Sequence, residues 1–225
     1  MKSGLVELVF ILDRSGSMED LESDTIGGFN AMFKKQKEIE GDCTVTTVLF
    51  DDQYEFLHNR IDIKKVKQLT KKQYFVRGST ALLDAVGRSI DQIGLALYNT
   101  PEPDRPEKVM FFIITDGLEN ASQEYTFEKV KGMIEHQQQV YSWEFTFLGA
   151  NIDAVNVASQ IGISQNNVAD YVADGTGTRK NFEGVDALLK SARTESISSY
   201  NDSKDIVLNE IREDYKKRGK IGDKE

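Results

Sequence analysis

The chain has 225 residues, of which 39% are hydrophobic and 29% charged, and its net charge at pH 7 is −9. This length and composition are typical of one globular α/β domain with a short appendage. The acidic balance disfavours nucleic acid and anionic membranes as partners, because both need a basic face.

The N-terminal segment and the cysteine content bear on the compartment. A short apolar run interrupted by Glu7 is too short and too charged for a signal peptide, and no stretch approaches the length of a membrane span. Cys43 is the single cysteine and lies in a β-branched segment, where a buried thiol is more common than a reactive one. We therefore expect a cytoplasmic protein.

The first strand is predicted at residues 7–12, and it runs into Asp13-Arg14-Ser15-Gly16-Ser17. Asp13, Ser15 and Ser17 offer three oxygens in a short loop, and Gly16 lets the backbone bend between them. Such ligands suit a hard cation such as Mg²⁺, Mn²⁺ or Ca²⁺. The alternative interpretation is a turn that caps the next helix.

The next apolar residues, at positions 26–33, have the spacing of an amphipathic helix. Gly27-Gly28 either weakens this helix or lets it pack closely against the sheet. Residues 44–50 and 54–59 predict a β-hairpin. Asp51-Asp52 between them is typical of a turn, with a second metal site as the less common alternative.

Residues 61–73 are rich in lysine and predict a short surface helix and a loop. Apolar residues at helical spacing from Leu83 to Leu97 then predict a helix that starts near Thr80. Thr80 caps this helix, ligates a cation, or does both. We interpret Asp84 as a negative charge at the helix N-terminus or as a residue that supports the metal ligands, and not as a ligand itself.

The most apolar stretch, residues 109–115, ends in Asp116-Gly117 and predicts a central parallel strand covered on both faces. It follows a connector at 98–106 that holds all three prolines. Further elements are predicted in chain order: helix 125–138, strand 143–148, helix 155–161, strand 168–172, a glycine turn at 174–178 and helix 181–194.

The last part of the chain is polar and charged, which predicts a marginal, largely solvated helix or a disordered tail. We therefore divide the chain into a domain at 1–194 and a C-terminal helix or tail at 195–225.

The alternation of strands and helices indicates a doubly wound, mostly parallel sheet with helices on both faces. The hairpin alone breaks the alternation and supplies an antiparallel edge strand. Ligands of such sheets bind beyond the carboxyl ends of the strands, where the strand order reverses. Asp13 and Asp116 both follow strands, so we expect them to meet Thr80 in one crevice.

Three features occur together in this chain: Asp13-Arg14-Ser15-Gly16-Ser17, Thr80 opening a helix, and Thr115-Asp116-Gly117 after a buried strand. In this combination the chain resembles the von Willebrand factor A (vWA) domain family over about residues 5–194. The resemblance implies a Rossmann-like, six-stranded sheet of order 3-2-1-4-5-6 and a complete metal-ion-dependent adhesion site (MIDAS). It also implies that Ser15, Ser17 and Thr80 bind Mg²⁺ through their hydroxyls. Asp13 and Asp116 would bind mostly through water. Mn²⁺ or Ca²⁺ is possible in place of Mg²⁺.

Neutral hydroxyl ligands leave a cation under-neutralised, so it favours an anionic oxygen from outside. The resemblance thus implies a non-enzymatic, cation-dependent module that accepts a Glu or Asp side chain from a partner protein. Intracellular relatives act as scaffolds, as adaptors for separate AAA+ ATPases, or as solitary bacterial and phage proteins. Nothing in the residues separates these roles.

The enzymatic alternative is a Mg²⁺-dependent, phosphatase-like hydrolase. Such enzymes place a second acid two residues after the nucleophilic Asp, whereas Ser15 occupies that position here. The sequence has neither a nucleophile elbow nor a phosphate-cradling glycine loop. His58 and His136 are interpreted as surface residues without a catalytic or metal-binding role.

Overall fold

The computed structural model describes residues 1–222, apart from the side chains of residues 197 and 220–222. The strands are β1 (Lys2–Asp13), β2 (Cys43–Phe50), β3 (Tyr54–Asp62), β4 (Pro106–Thr115), β5 (Glu144–Ala150) and β6 (Val168–Tyr171). The helices are α1 (Glu22–Gln36), α2 (Leu82–Tyr98), α3 (Phe127–Tyr141), α4 (Ala154–Gln160), α5 (Gly175–Thr194) and α6 (Ile197–Gly222).

The six strands form one sheet in the order β3-β2-β1-β4-β5-β6. Only β2 and β3 pair in antiparallel fashion, and the remaining pairs are parallel. The predicted strand order and the antiparallel edge strand are therefore confirmed. The order reverses between β1 and β4, so the carboxyl ends of these two central strands flank one crevice.

Apolar cores cover both faces of the sheet. Phe10 of β1 and Phe112 of β4 pack with Phe29 and Phe182, on the face covered by α1, α5 and α6. Val9 and Phe111, one residue earlier on the same two strands, belong to the core beneath α2, α3 and α4. Successive side chains of a strand point to opposite faces, and this explains why both strands are continuously apolar.

Helix α2 begins at Leu82, close to the predicted start near Thr80, but Ala81 and not Thr80 occupies the capping position, and it has no side-chain cap. The predicted turn at 174–178 is the first turn of α5, where the Asp174 carboxylate accepts a hydrogen bond from the Gly177 amide at 2.6 Å. A Cβ on Gly177 would lie 1.9 Å from the Val172 carbonyl oxygen, so glycine here permits close packing of a helix start.

Gly28 permits close packing of α1, but the partner differs from the prediction. A Cβ at Gly28 would lie 2.3 Å from Cδ2 of Phe182. The close approach is therefore between α1 and α5 and not between α1 and the sheet. The residues after β3 form one short helical turn at Ile63–Lys65, followed by an irregular segment that leads to Thr80.

Residues 197–222 form α6, which packs on the domain. Tyr200, Leu208 and Ile211 are buried in the same core as Phe29 and Phe182. Arg212 also donates hydrogen bonds to the backbone carbonyls of residues 165, 166 and 168. Residues 197–222 thus form a helix, one of the two predicted alternatives, but the expected solvation is wrong, because a few well-spaced apolar residues bury one face. The division of the chain at residue 194 stays a prediction.

No helix within residues 1–222 combines the length and the apolar character that crossing a membrane requires.

Candidate metal centre

Three loops bring hydroxyl groups together beyond the carboxyl ends of β1 and β4. The hydroxyl oxygens of Ser15 and Ser17 lie 3.1 Å apart, and the Thr80 hydroxyl donates to that of Ser15 at 3.0 Å. A Cβ on Gly117 would lie 2.5 Å from Oγ1 of Thr80 and 3.0 Å from Oγ of Ser17. Glycine after Asp116 therefore lets the third loop approach the hydroxyls of the other two.

Asp13 is buried and held on both of its carboxylate oxygens. Oδ1 accepts a hydrogen bond from the Ser15 amide at 2.7 Å, and Oδ2 accepts one from the Thr115 hydroxyl at 2.5 Å. Burial raises the pKa of Asp13 to about 6, against the opposing effect of these hydrogen bonds and with a further contribution from nearby Asp116. At neutral pH Asp13 is thus an oriented anion.

Asp116 presents two buried carboxylate oxygens that accept no hydrogen bond of normal geometry, although the Ser17 hydroxyl lies nearby. Burial raises the pKa of Asp116, and the proximity of Ser17 opposes part of the rise. A buried carboxylate without a partner destabilises a fold, and a bound cation would supply the missing charge. The donor set therefore fits a divalent cation that prefers oxygen.

The site depends on hydroxyls rather than on a cluster of strong ligands. Within residues 1–222, no group of three or more His, Cys, Asp or Glu side chains is arranged to hold a metal ion. Ser17 is exposed, whereas the other four predicted ligands are buried. The crevice is therefore open to solvent on the side of Ser17.

Asn120 holds the Thr80 loop through two hydrogen bonds to the backbone of Thr80. Its Oδ1 accepts a hydrogen bond from the Thr80 amide at 2.9 Å, and its own amide donates to the Thr80 carbonyl at 3.0 Å. Glu119 accepts a further hydrogen bond from the Leu83 amide at 2.9 Å. In the sequence, Glu119 and Asn120 are distinguished only by their position just after Asp116, and that position does not reveal what they contact.

Asp84 organises the segment that follows. Its carboxylate accepts hydrogen bonds at 2.9 Å from the backbone amides of residues 123, 124 and 125. These contacts occupy both oxygens, which agrees with the interpretation that Asp84 is not a primary ligand.

Arg14 and Asp51 form a buried ion pair beneath the first loop. Both are fully buried, and Nε of Arg14 donates to Oδ2 of Asp51 at 2.8 Å. Arg77 donates to the same oxygen at 2.7 Å, and the Gln53 amide donates to the other at 2.6 Å. Although burial disfavours its charged form, these hydrogen bonds lower the pKa of Asp51. Asp51 thus acts in the turn and is not part of a second metal site.

Sequence reasoning missed two contacts that support the first loop. Arg14 has no periodic or motif signal beyond its position between two predicted ligands. The Tyr74 hydroxyl donates a hydrogen bond to the backbone carbonyl of Asp13. Burial raises the pKa of Tyr74, so this phenol stays protonated and remains a donor.

The histidines and the cysteine lie outside the site. The interpretation of His58 as a surface residue is wrong: it is 7% exposed, and Nδ1 lies 3.1 Å from the Thr47 hydroxyl. Burial lowers the pKa of His58 to about 4. His136 is exposed, as predicted. Cys43 is buried, and burial raises its pKa to about 12, which makes it an unreactive thiol.

Comparison with known proteins yields similarity in structure alone. Neither a protein-family model nor a curated protein matches the chain. Proximal thread matrix protein 1 from the mussel byssus superposes with a TM-score of 0.56 at 15% identity, over 84% of this chain and 46% of that one. A von Willebrand factor type A structure from Catenulispora acidiphila gives 0.58 at 11%, over 83% and 42%. The vWF domain of the pilus tip protein Mfa5 from Porphyromonas gingivalis gives 0.63 at 11%, over 85% and 97%.

The chain has a vWA-like fold. It spans less than half the length of the first two of these structures. One further structure of the mussel protein, at 16% identity and a TM-score of 0.55 over 84% of this chain and 46% of that one, has a zinc-occupied MIDAS motif. At such identities the vWA-like comparison establishes the architecture, and the function must be argued from this chain's own site.

Proposed function

We propose that this chain is a non-enzymatic, divalent-cation-dependent protein-binding module. Asp13, Ser15, Ser17, Thr80 and Asp116 would hold the cation, and a partner protein would present a Glu or Asp side chain to it. The observation that carries the proposal is the Asp116 carboxylate, which is buried without a donor beside three clustered hydroxyls. A hard divalent cation such as Mg²⁺ would satisfy these oxygens together.

Each residue contributes a separate property. Asp13 is oriented by Ser15 and Thr115 and contributes a fixed negative charge. The hydroxyls of Ser15, Ser17 and Thr80 contribute neutral oxygens, which leave net positive charge on the cation. When bound, the cation supplies that charge to an incoming carboxylate. Access is from the side of exposed Ser17.

Hydrolase activity is disfavoured by what surrounds Asp13. The residue two positions later is Ser15, whose amide is bonded to Asp13 itself. Arg14 between them is engaged by Asp51 and Glu55, at 2.8 and 2.9 Å. Neither residue is therefore available as the acid–base partner that a phosphatase-like reaction needs. We also propose that the protein is cytoplasmic and of a bacterial or phage type. A role as adaptor for a separate AAA+ ATPase is the alternative form of the binding function.

Calorimetric titration of Mg²⁺ into the purified, EDTA-stripped chain tests the cation site. We expect binding heat with the wild type and none with Asp13→Ala, because that variant removes an oriented anion. Asp20→Asn is the matched control, since it removes one exposed charge close to the loop in sequence. Equal heats from wild type and Asp13→Ala contradict the proposal. Mn²⁺, Ca²⁺ and Zn²⁺ in parallel titrations rank the cations.

A pulldown compares Mg²⁺ with EDTA to test the second half of the proposal. Proteins retained with Mg²⁺, released by EDTA and not retained by Asp13→Ala are the expected partners. A partner retained equally in EDTA would show that binding does not pass through the cation.

A further inference from the structure

A row of exposed lysines lies along the segment that leads from β3 to Thr80. We name Lys64, Lys65, Lys67, Lys71 and Lys72 the lysine row, and all five are exposed. Within the part of the chain that the structure describes, none of them forms an ion pair. Such a concentration of unpaired positive charge stands out on a chain of net charge −9.

Buried anchors hold the lysine row in place. Ile63, Val66 and Leu69 are buried at intervals of three residues, and the lysines between them face outward. Asn30 of α1 clamps both backbone groups of Leu69, at 2.9 Å to the carbonyl and 2.7 Å to the amide. The lysines therefore project from a fixed strip, which lowers the entropic cost of binding a partner.

The segment that carries the lysine row continues into the candidate metal centre. Two residues after Lys72, the Tyr74 hydroxyl bonds the backbone carbonyl of Asp13. Further along, the Gly78 carbonyl accepts a hydrogen bond from the Gly16 amide at 3.2 Å. The segment thus runs from Asp62, which pairs with Thr44 at the opposite end of β2, to the cation loops, and Lys71 and Lys72 are the lysines of the row nearest to these loops along the chain.

We propose that the lysine row binds an acidic segment of the same partner that presents a carboxylate to the cation. This inference rests on the proposed function, and it specifies the partner: its cation-binding acid would be followed or preceded by further Asp or Glu residues. Lysines are flexible point charges, and they suit a run of carboxylates without demanding a fixed geometry. Electrostatic complementarity of this kind also speeds association.

Nucleic acid and anionic membranes fit the same charges less well. Among residues 64–77 the exposed aromatic ring is Phe75, and the Arg77 guanidinium lies over it at 5.3 Å from its centroid. The guanidinium covers one face of this ring, which disfavours stacking of a base there. A membrane-binding segment would expose its apolar residues beside its lysines, whereas Ile63, Val66 and Leu69 are buried.

Fluorescence anisotropy with a labelled oligoglutamate tests the inference on the full chain, in Mg²⁺ and in EDTA. The test variant is Lys67→Gln/Lys71→Gln/Lys72→Gln. The matched control is Lys131→Gln/Lys190→Gln/Lys217→Gln, which makes the same charge change at exposed lysines elsewhere. We expect about tenfold weaker binding of the test variant than of the control, at low ionic strength and in both buffers. Thermal melting checks that both variants are folded.

Equal weakening by the two triple variants overturns the inference, because net charge alone then explains binding. Tighter, row-dependent binding of duplex DNA or of phosphatidylserine vesicles than of oligoglutamate overturns the acidic protein segment as the occupant. Failure of the proposed function has a different signature. In that case Mg²⁺ gives no binding heat and oligoglutamate binds equally in Mg²⁺ and EDTA, but the lysine row is still required.

Discussion

Asp116 combines burial, a raised pKa and two oxygens without donors, directly after a central strand. Side chains that serve only the fold are seldom left in this state, because an unpartnered buried carboxylate is destabilising. At the scale of single residues, the proposed function therefore implies that the loops lose stability in the metal-free protein and gain affinity for a cation. Both effects can be measured.

We predict that Asp116→Asn stabilises the metal-free protein at pH 8 by about 1 kcal/mol, because a neutral amide is easier to bury than an unpaired carboxylate. We expect Mg²⁺ to increase the melting temperature of the wild type and not that of Asp116→Asn. Differential scanning calorimetry with and without EDTA measures both effects. Asp20→Asn, with the same change in charge, should keep the response to Mg²⁺. A full Mg²⁺ response in Asp116→Asn would exclude Asp116 as a ligand.

Asn120 is predicted to position Thr80 without touching the cation. Asn120→Ala removes the acceptor for the Thr80 amide and should weaken Mg²⁺ binding by about tenfold, as expected for residues that support metal ligands. Asn120→Asp keeps an acceptor oxygen at the same place and should restore binding. Calorimetric titration compares the three proteins. If Asn120→Asp binds as weakly as Asn120→Ala, the role assigned to this hydrogen bond is wrong.

Helix α6 contributes to the position of α5 in the domain. Its buried residues pack against α5 and β6, and a Cβ on Gly184 of α5 would lie 2.7 Å from Cδ1 of Ile211. Arg218 of α6 also pairs with Asp174, the residue that caps the start of α5, at 2.8 Å. At the scale of elements, α6 thus packs along one face of α5 and reaches its first turn.

The packing of α6 predicts a large difference between two neighbouring residues. Leu208 is 0% exposed and Ile206 is 61% exposed. Leu208→Ala should lower the free energy of unfolding by about 2–4 kcal/mol through loss of burial and creation of a cavity. Ile206→Ala, as the control on the same helix, should change it by less than about 0.5 kcal/mol. Urea denaturation measures both, and equal small effects would mean that α6 is not docked in solution.

At the scale of the whole molecule, two buried groups give stability opposite dependences on pH. The pKa of His58 falls from 6.5 to about 4 on burial, so the folded chain binds fewer protons and loses stability as pH falls through this range. The pKa of Asp13 rises from 3.8 to about 6, so its protonation stabilises the metal-free fold, fully below 3.8 and not above 6. The two effects partly cancel in the wild type.

Replacing His58 separates the two effects. Between pH 7.5 and 4.5, in EDTA, the free energy of unfolding of the wild type should fall by about 2 kcal/mol more than that of His58→Asn. The asparagine keeps a polar group next to Thr47 but does not titrate. Urea denaturation at the two pH values gives the comparison. Parallel changes in both proteins would show that His58 is accessible to protons in the folded state.

The sequence by itself determined the layout of this protein. Continuous apolar runs before Asp13 and before Asp116 indicated central parallel strands, and alternation with helices indicated a doubly wound sheet. The strand order that the structure has was implied by the resemblance to the vWA family. The structure brings the five predicted ligands into one crevice, while their binding of a cation stays a prediction. These inferences succeeded because burial on both faces of a sheet and the position of loops at strand ends leave local traces in a sequence.

Only the tertiary structure decided which distant residues support that layout. Arg14 pairs with Asp51, Asn120 bonds Thr80, and His58 is buried against Thr47. Apolar periodicity does not report such contacts, since each joins polar groups from two different segments of the chain. The packing of α6 could not be predicted for a similar reason. Its apolar residues are too sparse to indicate that it packs on the domain, and only the complementary surface of α5 makes their burial favourable.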